Sequence, residues 1–127
     1  MSELCQQCIE GLIMKILILE DDTARLMYFN EKFYRHELTM IENANSAIEY
    51  LENKTFDCIF LDHDLGYNNG FGADVASYLG EHPDNPNNQA TIIIHSWNTP
   101  GAQAMLAKLK NAYIAPFGSD AFMSIKG

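Results

Sequence analysis

Two short acidic runs stand where two apolar runs end. Leu17-Ile18-Leu19 leads into Glu20-Asp21-Asp22, and Cys58-Ile59-Phe60-Leu61 leads into Asp62-His63-Asp64. Carboxylates gathered in one place repel each other unless a cation or a shared proton relieves them. Glu20, Asp21 and Asp62 are therefore candidate ligands for one hard divalent ion. Mg2+ (or Mn2+) fits such oxygen donors, because it keeps waters that a substrate phosphate can displace. A metal there would polarise phosphoryl oxygens and lower the pKa of a bound water. Asp62 has two readings that the residues alone leave open: nucleophile in aspartyl-phosphate chemistry, or metal ligand only. Asp22 has a plainer use, since an acid at a helix N-terminus is stabilised by roughly 0.3–1 kcal/mol.

A second block, His95-Ser96-Trp97-Asn98, follows another apolar run. Hydrolysing a phosphate ester needs an activated water and a protonated leaving alkoxide. Histidine is the side chain suited to exchanging protons near neutral pH, and His63 and His95 are candidates for that proton traffic. Ser96 and Asn98 are candidates for hydrogen bonds to phosphate oxygens. Side-chain alternation along a strand qualifies the histidines. If Asp62 and Ser96 face the site, so does Asn98, while His63 and His95 point elsewhere and orient neighbours or fill half-buried positions, unless strand-end bends turn them back. Trp97 stacks on a nucleobase, shields the site, or packs on the next helix. The 66–72 loop, with its glycines and asparagines, is either a lid or a plain connection.

These groups need a scaffold that brings strand ends to one edge. Runs as apolar as these read as strands buried on both faces. From residue 14 onward, strand and helix patterns alternate. Strands are expected over 15–19, 38–42, 56–61, 91–95 and 112–115. Helices are expected over 23–36, from an Asn43 or Asn45 cap to about 54, over 73–79, from Pro100 through Leu109, and over 119–125. Residues 81–89, with two prolines and three asparagines, read as a polar surface loop. Such alternation implies an α/β fold with a parallel sheet, right-handed crossovers and helices on both faces. In open sheets of this kind ligands bind beyond the carboxyl ends of the strands.

The chain has 127 residues, enough for one domain, and 47% of them are hydrophobic. Its formal charge of −9 argues against non-specific binding to nucleic acid or anionic membrane, but not against a small phosphorylated ligand held through a metal. No apolar run reaches the roughly 20 residues of a membrane span, and no signal-peptide pattern is present, so a cytoplasmic location is expected. Cys58 lies in a core strand and reads as a small buried hydrophobe. Cys5 and Cys8 form a lone C-x-x-C without the further ligands zinc requires. Residues 1–13 read as an extension. Met14 opens the first strand as an initiator would, and a ribosome-binding site would fall at the purine-rich codons of Glu10-Gly11, so Met14 is the expected natural start.

Over residues 14 to about 125 the chain resembles the receiver domains of two-component response regulators. Lys15-Ile16-Leu17-Ile18-Leu19-Glu20-Asp21 is similar to the receiver first strand with its metal-binding acidic pair, Glu20 and Asp21. Phe56 to Asp62 is similar to the third strand that ends in the phosphoacceptor, which implies that role for Asp62 and a metal-binding backbone carbonyl at Asp64. Ile92 to Ser96 resembles the fourth strand with its closing Ser or Thr, here Ser96. Tyr113-Ile114-Ala115-Pro116-Phe117 resembles the segment that carries Lys-Pro-Phe, except that Ala115 replaces the lysine. The resemblance implies a flavodoxin-like three-layer sandwich with strand order 2-1-3-4-5. The boxes Asp62-His63-Asp64-Leu65-Gly66 and His95-Ser96-Trp97-Asn98 resemble a receiver offshoot, the cyclic-phosphate-processing receiver domains. That likeness implies metal-dependent processing of a cyclic phosphate on a nucleotide or RNA end, as a possible cyclic phosphodiesterase. The alternative is a stand-alone signalling or binding module, phosphorylated on Asp62 or sequestering a cyclic nucleotide, with a protein partner. Ala115 weakens the signalling alternative.

Overall fold

A computed structural model of the chain describes residues 12–127. Five parallel strands, β1 (Lys15–Leu19), β2 (Glu37–Ile41), β3 (Cys58–Leu61), β4 (Thr91–Ile94) and β5 (Ala112–Ile114), form one sheet in the order β2-β1-β3-β4-β5. Between them run α1 (Thr23–Lys32), α2 (Ala44–Asn53), α3 (Gly72–Glu81) and α4 (Thr99–Leu106), with a closing α5 (Asp120–Met123). The expected three-layer α/β architecture and strand order are therefore present. The Cys5-Cys8 pair lies outside the described residues.

Period-2 alternation sends each apolar strand in two directions. Leu17, Leu19, Ile59, Leu61, Ile92 and Ile94 pack on one face with Ala47 and Leu51 of α2, Val75 and Leu79 of α3, and Met105 of α4. Ile16, Ile18, Cys58, Phe60 and Ile93 pack on the other with Phe29, Phe33 and Phe122. The second face is aromatic: Phe29 meets Phe60 at 5.0 Å and Phe122 at 5.7 Å between ring centroids, both edge-on, a favoured geometry for such pairs.

Polar side chains set where the helices begin. Asp22 caps α1 by accepting from the Arg25 backbone N–H at 2.9 Å, and Asn43 rather than Asn45 caps α2 by accepting from Ser46. Asn98 caps α4 by accepting from Gly101. Helix ends differ from the sequence pattern. α1 stops at Lys32, because Phe33 dives into the core and His36, buried, accepts the Met14 backbone N–H through Nδ1 at 3.1 Å. α4 stops at Leu106 rather than Leu109.

The 81–89 segment is not simply a surface loop. Pro86–Gln89 forms a 3-10 turn, and Asn87 and Asn88 are buried. Asn87 accepts from Phe56 N–H at 2.8 Å and donates to the carbonyls of Leu51 and Lys54 at 3.0 and 2.8 Å. Composition marks this stretch as polar. It does not reveal that the Asn87 amide satisfies the end of α2 and the approach to β3, while Asn88 donates to the Leu79 and His82 carbonyls at the end of α3.

Candidate metal and phosphate site

Register builds the site. The last paired residues of the three central strands are Leu19, Leu61 and Ile94. One step further, Glu20, Asp62 and His95 stand side by side, on the face where Ile18, Phe60 and Ile93 point. The same register carries the row to Ala115, beyond the Ile94–Ile114 pair of β5. Glu20, Asp62 and His95 are buried, and their nearest donor atoms lie within 4.8 Å of one another.

The register also corrects the alternation argument. The residue of β4 in line with Asp62 is His95, not Ser96, because Leu61 pairs with Ile94. His95 therefore does not turn away from the carboxylates. Its Nε2 donates to Glu20 Oε1 at 2.9 Å, from beneath, with its ring edge-on to Phe29. His95 Nδ1 is buried and, among the described residues, has no hydrogen-bond partner. Ser96, one step on, lines the open cleft above, and its Oγ accepts the Asn98 backbone N–H at 3.0 Å.

Glu20 is held from every side. Its Oε2 accepts the backbone N–H groups of Asp21 and Asp22, both at 3.0 Å, and Arg25 lies 3.7 Å from Oε1. Burial pushes the Glu20 carboxyl upward, but the His95 hydrogen bond, the Asp22 N–H and the charges of His95 and Arg25 outweigh it and hold the group below the ordinary carboxylate range. Asp62 goes the other way. Burial raises its pKa above the usual value, the neighbouring Glu20 charge adds to this, and His95, the His63 N–H and Arg25 only partly compensate. Asp62 Oδ1 accepts the His63 N–H at 2.9 Å. Among the described residues Oδ2 has no hydrogen-bond donor, so one carboxylate oxygen is left to the cleft.

The remaining candidates divide. Asp21 Oδ2 accepts the Gly66 backbone N–H, which ties the loop after β3 to the end of β1. The Asp64 carboxylate is engaged outside the buried row: His63 Nδ1 donates to its Oδ1 and Asn98 Nδ2 to its Oδ2, each at 3.0 Å. Those two bonds, Asn98 first, draw its pKa down. The His63 ring lies over the first turn of α4, where a Cβ on Gly101 would come within 2.5 Å of it. So His63 does turn aside from Asp62, as alternation requires, and braces Asp64 and Asn98. Trp97 is tied at the rim: its Nε1 donates to the Phe117 carbonyl at 2.8 Å, while 61% of the residue stays exposed.

Two features escaped the sequence reading. Arg25, one helical turn beyond Asp21, lines the same cleft of about 280 Å³ as Asp21, Asp62, Ser96 and Asn98. A lone base three residues after the acidic run Glu20-Asp21-Asp22 was the available signal. The second is Gly72, whose absent Cβ would sit 1.7 Å from the Asp62 carbonyl oxygen. The loop after β3 must fold back against that carbonyl, and only glycine permits the approach.

The donor set suits a hard divalent cation. Two buried carboxylates face each other, one of them with a raised pKa and an uncommitted oxygen, and a cation would relieve that charge. Glu20 and Asp62, with Asp21 beside them, are the residues that would hold it.

Comparison with known proteins places this geometry. A search of curated proteins gave no match. Among solved structures, the phosphorylated cyanobacterial phytochrome response regulator RcpA superposes with a TM-score of 0.70 at 20% identity, over 90% of this chain and 86% of that one. The Mn2+-bound response regulator Rcp1 gives 0.68 at 21% identity, over 88% of each chain. The receiver domain of the sensor histidine kinase PA1611 from Pseudomonas aeruginosa, with Mg2+ in its active-site cleft, gives 0.69 at 16% identity, over 84% of this chain and 87% of that one. At these identities the likeness establishes the receiver fold. Residues 15–111 match the sequence profile described as the cyclic-phosphate processing receiver domain, and the chain therefore belongs to that family.

Proposed function

We propose that the protein opens a cyclic phosphate on a nucleotide or RNA end by metal-dependent hydrolysis. The observation that carries this reading is the composition of the strand-end row. Glu20, Asp62 and His95 supply two carboxylates and an imidazole, and the fourth member, Ala115, is fully buried and brings no cation. Such a row favours handling a substrate phosphate and its protons over stabilising a phosphoryl group fixed on Asp62.

Mg2+ or Mn2+, when bound, would polarise the phosphoryl oxygens and acidify a water. The chain's own residues do the rest. Glu20, fixed by two backbone N–H groups and His95, stays ionised as an anchor. Asp62, whose Oδ2 is open to the cleft, would hold the metal beside Glu20, and the proton of the attacking water passes through solvent. Water oxygen bonds to phosphorus, the bond to the ribose oxygen breaks, and a proton returns to that oxygen, leaving a phosphomonoester. Ser96 and Asn98 line the cleft where phosphate oxygens would lie. Action in the cytoplasm on a small phosphorylated ligand or RNA end is part of this reading; among the described residues no helix is long and apolar enough to cross a membrane.

A second reading has its own support: the uncommitted Asp62 oxygen is open to a phosphodonor, as befits a signalling module with a protein partner. One experiment separates the two. The protein is incubated with Mg2+ or Mn2+ and either 2′,3′-cyclic nucleotides or cyclic-phosphate-ended oligonucleotides, and phosphomonoester products are followed for wild type, Asp62→Asn and His95→Ala. Turnover lost in Asp62→Asn supports hydrolysis. No turnover with rapid labelling of Asp62 by a small phosphodonor supports signalling, and tight binding without turnover supports sequestration.

A further inference from the structure

We propose that Arg25 is the phosphate-binding residue of the cleft, supplying from α1 the positive charge that β5 does not bring; this rests on the reading above that the cleft receives a phosphate. The argument begins with charge. The residues lining the cleft include five acids, Glu20, Asp21, Asp22, Asp62 and Asp64, and a single base, Arg25. A phosphate has oxygens on more than one side. A metal held by Glu20 and Asp62 would face some of them, and the others need a donor that is not an acid. On the β5 side the row ends in buried Ala115.

Arg25 is prepared for that task. Its guanidinium lies over the Phe117 ring, with Cζ 5.0 Å from the ring centroid, within cation–π range. Phe117 is fixed in turn by Tyr28 at 5.3 Å, Phe29 at 5.8 Å and Phe122 at 4.8 Å between centroids. The platform under the guanidinium is thus packed against the aromatic core. The donors of Arg25 are not spent on Glu20. The Nη1–Oε1 separation is 3.7 Å, well beyond the ~2.8 Å of a charge-assisted hydrogen bond. Glu20 already accepts from Asp21, Asp22 and His95. Among the described residues the guanidinium makes no hydrogen bond, and the side chain is 32% exposed. A planar fork with free N–H groups, held at fixed height beside a metal-type carboxylate site, matches two oxygens of one phosphate.

The test uses the intact protein, adenosine 2′,3′-cyclic phosphate and inorganic phosphate as probes, and Mn2+ alone as a separate titration. Trp97 is the only tryptophan and sits at the rim, so its fluorescence reports binding beside calorimetry. In saturating Mn2+, Arg25→Ala should bind the cyclic nucleotide roughly 10- to 100-fold more weakly than wild type, with Arg25→Lys between them. Mn2+ affinity should stay equal or tighten, because a cation has been removed from beside the carboxylates. The opposite signs separate a phosphate contact from a structural role, which would weaken both. The proposal is overturned if Arg25→Ala binds the nucleotide within about twofold of wild type, if it loses Mn2+ and nucleotide together, or if wild type with Mn2+ binds neither probe. Arg25-dependent binding without turnover refutes hydrolysis and leaves Arg25 as the phosphate contact.

Discussion

Replacing Asp62 by Asn should make the metal-free protein more stable and the metal-loaded protein less so. Asp62 is only 6% exposed, and its carboxylate lies within 4.8 Å of that of Glu20. Two unit charges at that distance and an effective dielectric near 20 repel by about 3.5 kcal/mol. Arg25 and His95 cancel part of this. A net gain of about 1 kcal/mol in the amide variant is reasonable, a shift of roughly 3–5 °C for a domain of this size. The amide keeps the acceptor for the His63 N–H, so the backbone turn is preserved. Mn2+ at 100 times its dissociation constant adds about 2.7 kcal/mol to wild type, and the variant should forgo most of it. Thermal melts followed by circular dichroism, in chelator and in saturating Mn2+, should therefore cross: variant above wild type in the first, below it in the second. The pH dependence has a definite sign. The folded pKa of Asp62 lies above the unfolded one, so wild type without metal is penalised at pH above the folded pKa and gains stability as pH falls toward the ordinary carboxylate value. The variant should lack that gain. Equal melting in chelator, or equal stabilisation of both proteins by Mn2+, would refute the reasoning.

Glu20 has the opposite linkage: its folded pKa is depressed, so its contribution is full above the unfolded carboxylate pKa and is lost as pH falls through the folded value. Glu20→Gln should cost about 2 kcal/mol at neutral pH and flatten that acid limb in urea titrations across pH. Gly72→Ala should displace the Asp62 carbonyl, since the new Cβ has 1.7 Å to that oxygen; a loss of about 3 kcal/mol in denaturant midpoint and weakened Mn2+ uptake are expected, and a neutral result would contradict the close approach. Asn87→Ala strands Phe56 N–H and the Lys54 carbonyl and leaves the Leu51 carbonyl to Asn85 Nδ2 alone, so chemical denaturation should show a loss of about 2 kcal/mol, with Mn2+ affinity unchanged in the folded variant.

By itself the sequence determined the α/β alternation and the placing of Glu20, Asp21 and Asp62 at strand ends, because buried parallel strands are continuous apolar runs and a charge can follow only where such a run leaves the core. The place of Asp22 at a helix N-terminus was equally local, since an N-cap acts on N–H groups two or three residues away, whereas the choice of Asn43 over Asn45 was made only in the structure. Tertiary structure decided what depended on register between strands distant in the chain. Nothing in Ile94-His95-Ser96 indicates which residue stands opposite Asp62; the pairing of Leu61 with Ile94 selects His95 and leaves Ser96 to the cleft. It also decided that Asp64 would be taken up by His63 and Asn98, that Asn87 would be buried in a stretch that reads as surface, and that Arg25 would rest on Phe117 and look into the acidic cleft. Each of these joins groups from separate elements, and such contacts exist only once the sheet has closed and the helices have docked on it.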